Sequence, residues 1–255
     1  MTLVIDDLSF AYGDVKALEH IAAEAAPGRL TAIIGPNASG KSTLLRCIIG
    51  SLKPSGGRVL LDGVPTRHLR PRFMARRMAY VAQRSAVSAA FTVTEVVELG
   101  RYALAPSRRL VEQAIARLDL SDVAHRPYAA LSVGQQQRVM LARAVAQLDG
   151  AGYLLLDEPT SAMDLRHQCD TMTLIRELVG EGVTVLMVMH DLTTAAAEAD
   201  VAWLLQSGRL AAAGPAGEVL TESRLREVFN VPFEWLSSST GGRRLAPITS
   251  SRSGG

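Results

Sequence analysis

Residues 35–43 read GPNASGKST. A glycine, four residues, then glycine, lysine and a hydroxyl is the spacing of a loop that holds phosphates. The glycines let successive backbone N–H groups turn inward, and a helix starting at the lysine adds its positive end. In such a loop Gly35, Pro36, Asn37, Ala38, Ser39, Gly40 and Thr43 surround the phosphates. Lys41 reaches the β- and γ-phosphates, and the Ser42 hydroxyl binds Mg²⁺. A glycine-rich turn that binds nothing is the alternative, and the context weighs against it. LTAIIG (30–35) before the loop reads as a buried strand, and KSTLLRCIIGSL (41–52) after it has helical spacing.

Asp157 and Glu158 close the apolar run YLLLDE. Ligands of open α/β sheets bind at the carboxyl ends of strands, so two acids there are well placed. Asp157 suits the Mg²⁺ shell, and Glu158 could polarise an attacking water. In isolation such a pair is as readily a solvated turn, and the phosphate loop tips the reading toward chemistry. His190 ends a second apolar run, VTVLMVMHD at 183–191, and by itself reads as a packed histidine. Gln83 by itself is a neutral strand terminus.

These residues need elements to hold them. MAYVAQ (78–83), YLLLDEP (153–159) and VTVLMVMHD (183–191) read as further strands, and KPSGGRVLLDG as a turn and an edge strand. Strands alternate with helices, which predicts an α/β core with a mostly parallel sheet and an antiparallel β part. Between them TVTEVVELGRYAL and RRLVEQAIARLDL are amphipathic helical segments without strand signals. The organisation expected is a core of residues 1–83 and 131–235, a helical subdomain at 84–130, and a Ser/Gly-rich flexible tail at 236–255.

Composition narrows the class. Hydrophobic residues make up 48% of 255, enough for a full core, and the net charge of +2 is too small to argue for nucleic acid. Two cysteines, Cys47 and Cys169, make no disulfide framework and suit a reducing compartment. The longest apolar run, VTVLMVM, is far short of the roughly 20 residues of a spanning helix. The chain is therefore read as soluble on its own, with any membrane role supplied through a partner. The arginine-rich stretch RHLRPRFMARR (67–77) reads first as a solvated face.

One stretch holds neither acid nor nucleophile. LSVGQQQRVMLARAVAQL (131–148) opens like a helix with Ser132 as its cap. Its purpose emerges from a resemblance. The phosphate loop, YLLLDE, LSVGQ, Gln83, SAMD (161–164) and His190 together resemble the nucleotide-binding subunit of an ABC transporter, in order and spacing over residues 1 to about 235. The resemblance implies a P-loop NTPase core with ATP and Mg²⁺. It implies that Tyr12 of FAYG stacks on adenine, that Gln83 contacts Mg²⁺ and signals to the membrane subunit, and that Asp164 lies in the D-loop. It implies that His190 is the switch histidine and Glu158 the catalytic base. It also implies two subunits packed head to tail, with Ser132, Gly134 and Gln135 of one closing on the nucleotide of the other. Val133 departs from the family's glycine and Met163 from its leucine, while Ser132, Gly134 and Gln135 are kept.

PTSAMDLRHQ, LREVFNVPFEW and TVTEVVELGRY further resemble the ATPases of importers for ferric siderophores, haem and vitamin B12. That implies a permease dimer, a substrate-binding protein reached indirectly, and a peripheral place on the cytoplasmic face of the bacterial inner membrane. Relatives acting on DNA or ribosomes carry a long coiled coil or two cassettes, which this sequence lacks, so no nucleic acid partner is expected. A small-molecule kinase would lack the signature, D-loop and histidine.

Overall fold

The computed structural model describes residues 2–83, 87, 90–148, 152–237 and 243–248. Along the chain lie β1 (Leu3–Tyr12), β2 (Val15–Ala25), β3 (Leu30–Ile34), α1 (Lys41–Ile48), β4 (Gly56–Leu61), β5 (Val64–Pro65), α2 (Pro71–Ala75) and β6 (Met78–Val81). The middle of the chain adds α3 (Val93–Glu98), α4 (Arg108–Arg117) and α5 (Val133–Gln147). There follow β7 (Tyr153–Asp157), α6 (Leu165–Gly180), β8 (Thr184–Val188), α7 (Leu192–Glu198), β9 (Val201–Gln206) and β10 (Arg209–Pro215). The chain ends in α8 (Ala216–Val219), α9 (Glu222–Phe229), β11 (Phe233–Ser237) and β12 (Arg243–Pro247).

Among the described residues the central sheet runs β10-β9-β3-β8-β7-β6, parallel except for β10 at its edge. Parallel pairing puts the carboxyl ends of β3, β8, β7 and β6 on one edge. That edge gathers the phosphate loop, His190, Asp157 and Gln83 from four distant parts of the chain. Alternation decides which core each side chain joins. Leu154, Leu156, Val185 and Met187 face the core shared with the helices, whereas Leu155, Leu186, Val188 and Trp203 face the one shared with α1, β1, β2 and β4. With both faces covered, these strands show unbroken apolar runs rather than alternation.

A second sheet, β2-β1-β4-β5, is antiparallel and carries Tyr12 at the end of β1. Sequence reading assigned no strand to β1 or β2. Their pairing is interrupted by register shifts, and Asp7 and His20 sit at φ 52, so no clean alternation survives. The expected helix at 41–52 ends at Ile48; Gly50, at φ +79, turns the chain away.

The helices between β6 and β7 before α5 are short. Thr92 and Glu95 form a reciprocal capping box that starts α3, an arrangement whose cap alone is worth about 1 kcal/mol. Of the 84–130 segment, residues 84–86, 88 and 89 lie outside the described residues. Helix α5, assigned to the core side of the boundary at 130, packs against α3, α4 and β6. It joins the helical subdomain to the sheet.

The tail expectation needs correction. Residues 233–237 and 243–247 pair as an antiparallel hairpin, and Leu245 is buried in the larger core. The Thr193 hydroxyl donates to the Leu245 carbonyl at 2.9 Å. One well-placed leucine anchors a strand that the average Ser/Gly composition concealed. Residues 238–242 and 249–255 lie outside the described residues.

Candidate functional site

The loop after β3 is shaped by two glycines that no other residue could replace. A Cβ at Gly35 would stand 2.2 Å from the Leu205 carbonyl oxygen, and one at Gly40, where φ is +102, 2.6 Å from that of Ala17. Ala38 carries a side chain at φ 61, a left-handed conformation that costs an alanine roughly 1–2 kcal/mol. Lys41 is 6% exposed and folds back to donate to the carbonyls of Gly35 at 2.8 Å and Pro36 at 2.9 Å. Burial pushes its ammonium below the usual lysine range, against the pull of Glu158 and Asp157. A polyanion in the loop would add further countercharge beside this lysine.

Ser42 donates to Asp157 Oδ1 at 2.9 Å, and the Tyr80 phenol reaches Oδ2 at 3.5 Å. Asp157 is buried, and burial pushes its carboxyl above the ordinary aspartate value, opposed chiefly by the Ser42 hydrogen bond. A hydroxyl and a carboxylate oxygen in contact at a buried point are the hard donors a divalent cation of the Mg²⁺ type prefers. The residues therefore fit that ion.

Glu158 follows directly, at φ 51 with its side chain 11% exposed. Its Oε2 accepts from the Gln83 amide at 2.6 Å, and its Oε1 pairs with His190 Nε2. Three residues far apart in sequence converge from the ends of β6, β7 and β8. Tyr12 stands beside the phosphate loop, half exposed, its hydroxyl 3.5 Å from that of Thr43 and its ring edge-on to Phe10 at 4.8 Å. An exposed aromatic face beside a phosphate loop can stack on a nucleobase.

Ser132, Gly134, Gln135 and Asp164 are engaged differently. Ser132 caps α5, accepting from the Gln135 backbone N–H at 3.3 Å, while the Gln135 side chain accepts from the Ser132 N–H at 3.1 Å. Val133, at the first helical position, is exposed to 70%. Gly134 lies against the 161–164 loop: a Cβ there would stand 2.8 Å from the Ala162 carbonyl oxygen. Asp164 caps α6, accepting from the backbone N–H and the ring Nδ1 of His167 at 2.9 and 2.8 Å. The backbone hydrogen bond above all holds its carboxyl below the usual range.

Sequence reading missed Arg46, Tyr80 and Gln137 here. Arg46, four residues beyond Ser42 on α1, lies beside Tyr80 and Tyr12, whose interaction with it, Tyr80 first, holds its guanidinium above the usual arginine range. Tyr80 in turn reaches Asp157 Oδ2. Gln137, on α5, bonds to the backbone that carries Glu158. The helical spacing from Ser42 could have flagged Arg46; Gln137 left no such trace, since its neighbours are glutamines too.

Comparison with known proteins now decides the family. The ABC transporter family matches residues 18–161. The chain belongs to it. Hemin import ATP-binding protein HmuV of Rhizobium meliloti is 40% identical over 88% of this chain and 89% of its own length. Its counterpart from Nocardia farcinica is 41% identical over 91% and 83%. Among solved structures, a metal-chelate type ABC transporter in an inward-facing conformation superposes with a TM-score of 0.81 at 26% identity, covering 98% of both chains. The chain is thus an ATP-binding ATPase with a membrane permease as partner, and its P-loop NTPase fold is as expected. Among the described residues no helix is long and apolar enough to cross a membrane.

Proposed function

We propose that this chain drives a bacterial importer of an iron chelate, haem or a ferric siderophore, from the cytoplasmic face of the inner membrane. The observation that carries this is the likeness to hemin import ATPases over nearly the full length of both chains. In this reading the chain works as a homodimer beneath a permease dimer, with a substrate-binding protein on the far side.

The site geometry supports a division of labour. Lys41 exchanges the carbonyls of Gly35 and Pro36 for phosphate oxygens, and Tyr12 stacks on adenine. Ser42 and Asp157, with Gln83, hold Mg²⁺, which supplies neutralisation of the developing phosphate charge. Glu158 takes the proton of the attacking water, and His190, hydrogen-bonded to it, orients the carboxylate. Ser132, Gly134 and Gln135 close on the nucleotide of the second subunit, where a helix N-terminus favours an anion, and Asp164 faces the same interface. ATP drives the shift because it binds the closed dimer more tightly than the open one. The helical subdomain, near Gln83 and residues 84–100, passes that closure to the permease.

A pull-down tests the reading. Tagged Glu158→Gln protein is recovered from mild-detergent membranes with Mg-ATP and its companions identified by mass spectrometry. A polytopic permease with a haem- or siderophore-binding protein is the expected result. A cobalamin-binding protein would move the cargo, and ribosomes or DNA alone would overturn the importer reading.

A further inference from the structure

The backbone at Glu158 is left-handed, φ 51, without being glycine. A non-glycine residue stays there only where its surroundings over-determine it. The surroundings in question are hydrogen bonds to its carbonyl. Ser161 donates to that oxygen through its backbone N–H at 3.3 Å and its hydroxyl at 3.1 Å. The third donor comes from another element. Gln137, 9% exposed on α5, donates through Nε2 to the same carbonyl at 3.0 Å. Its second Nε2 hydrogen reaches the Ser161 hydroxyl at 3.4 Å, and its Oε1 accepts from the Ala162 N–H at 3.1 Å.

One buried amide therefore engages the 158–162 turn as donor twice and acceptor once. The helix that holds it is the one whose N-terminus presents Ser132 and whose body packs on α3 and α4. One turn back, Gly134 lets the Ala162 carbonyl approach where a Cβ would stand 2.8 Å away. Helix and turn are locked together at two successive points.

We propose that Gln137 is a positioning residue for hydrolysis. It transmits the placement of α5 to the Glu158 backbone and so aims the carboxylate between Gln83 and His190. The proposal rests on the reading of Glu158 as base. Gln137 bonds to the 158–162 turn and so acts through Glu158. Misplacing a catalytic group by about 1 Å costs on the order of 100-fold in rate. Ground-state nucleotide binding runs through Lys41 and Tyr12 and stays as it was.

The test uses the full-length chain with Gln137→Met, which keeps the bulk and loses every bond, and Gln137→Glu, which keeps the acceptor for Ala162 and loses both donations. Steady-state ATPase assays give kcat and KM, a fluorescent ATP analogue gives affinity, and thermal melting reports the fold. We expect kcat to fall about 10- to 100-fold in both variants, with KM and analogue affinity within about threefold of the parent. In a Glu158→Gln background, Gln137→Met should bring no further loss. The proposal is overturned if kcat stays within twofold of the parent, or if kcat, KM and melting temperature worsen together, the pattern of a merely structural residue. Wild-type turnover by Glu158→Gln alone would instead sink the base assignment, so the two failures are distinguishable.

Discussion

The phosphate loop and the α5 N-terminus are both helix starts that favour anions, yet the fold treats them differently. Around α1 the side chains assigned chemistry find partners within the chain: Lys41 on the loop carbonyls, Ser42 on Asp157, Glu158 between Gln83 and His190. At α5, Ser132 and Gln135 cap each other's backbone beside an exposed Val133. The first region is a site assembled within one chain. The second is a prepared surface, consistent with a ligand carried by another subunit. On the proposed reading, division of this kind would make hydrolysis conditional on association, with one chain holding the base and the other completing the cage.

The largest effect expected is at the first region. Glu158→Gln should lower turnover by about 10²–10⁴-fold, the ordinary contribution of a general base, while still binding Mg-ATP. Size-exclusion chromatography with Mg-ATP should then show an accumulated dimer. Next comes Ser132→Arg in the second region. ATP turnover should collapse, while nucleotide affinity of the isolated monomer is unchanged and stability drops by only about 1 kcal/mol for the lost cap. If monomer affinity fell with turnover, Ser132 would be acting on its own chain's nucleotide and the contrast between the regions would be gone.

A smaller effect concerns charge stored in the first region. Asp157 has a folded-state pKa raised by burial. For an acid shifted that way, the folded protein holds its proton more tightly than the unfolded chain does. Stability therefore falls as pH climbs from the usual aspartate value, 3.8, through the raised one, and the loss is complete above it. Asp157→Asn removes that ionisation. Nucleotide-free Asp157→Asn should melt higher than the parent at pH 7, with the gap narrowing as pH approaches 4. An equal gap at both pH values would show that packing, not charge, separates the two proteins.

Much of the site was legible because its motifs are local. GPNASGKST fixes the loop by glycine spacing, and YLLLDE ends a strand whose apolar run is unmistakable. The hydrogen bonds that join Gln83, Glu158 and His190 were not legible, because they depend on the order of β6, β7 and β8 in the sheet, which no single segment encodes. β1 and β2 escaped because bulges break their alternation, and β12 because composition averaged away Leu245. Gln137 escaped for a different reason. In a row of three glutamines, only the helix's orientation decides which one is buried.

The finest test concerns strain in the first region. Ala38 is exposed at φ 61, so its methyl group finds no packing there that would offset the left-handed cost. Replacing it with glycine removes roughly 1–2 kcal/mol of strain and returns about 0.4–1 kcal/mol through the more flexible unfolded chain. The balance is a stabilisation of about 0.5–1 kcal/mol, measurable as a rise in urea midpoint at constant slope. The nucleotide result then speaks to the comparison. A loop already held by Gly35 and Gly40 against the Leu205 and Ala17 carbonyls does not need Ala38 to stay folded. ATP affinity of Ala38→Gly should therefore match the parent within about twofold. A tenfold loss would mean that the loop owes its shape to a restricted Ala38, and that the first region is preformed by strain as well as by its hydrogen bonds.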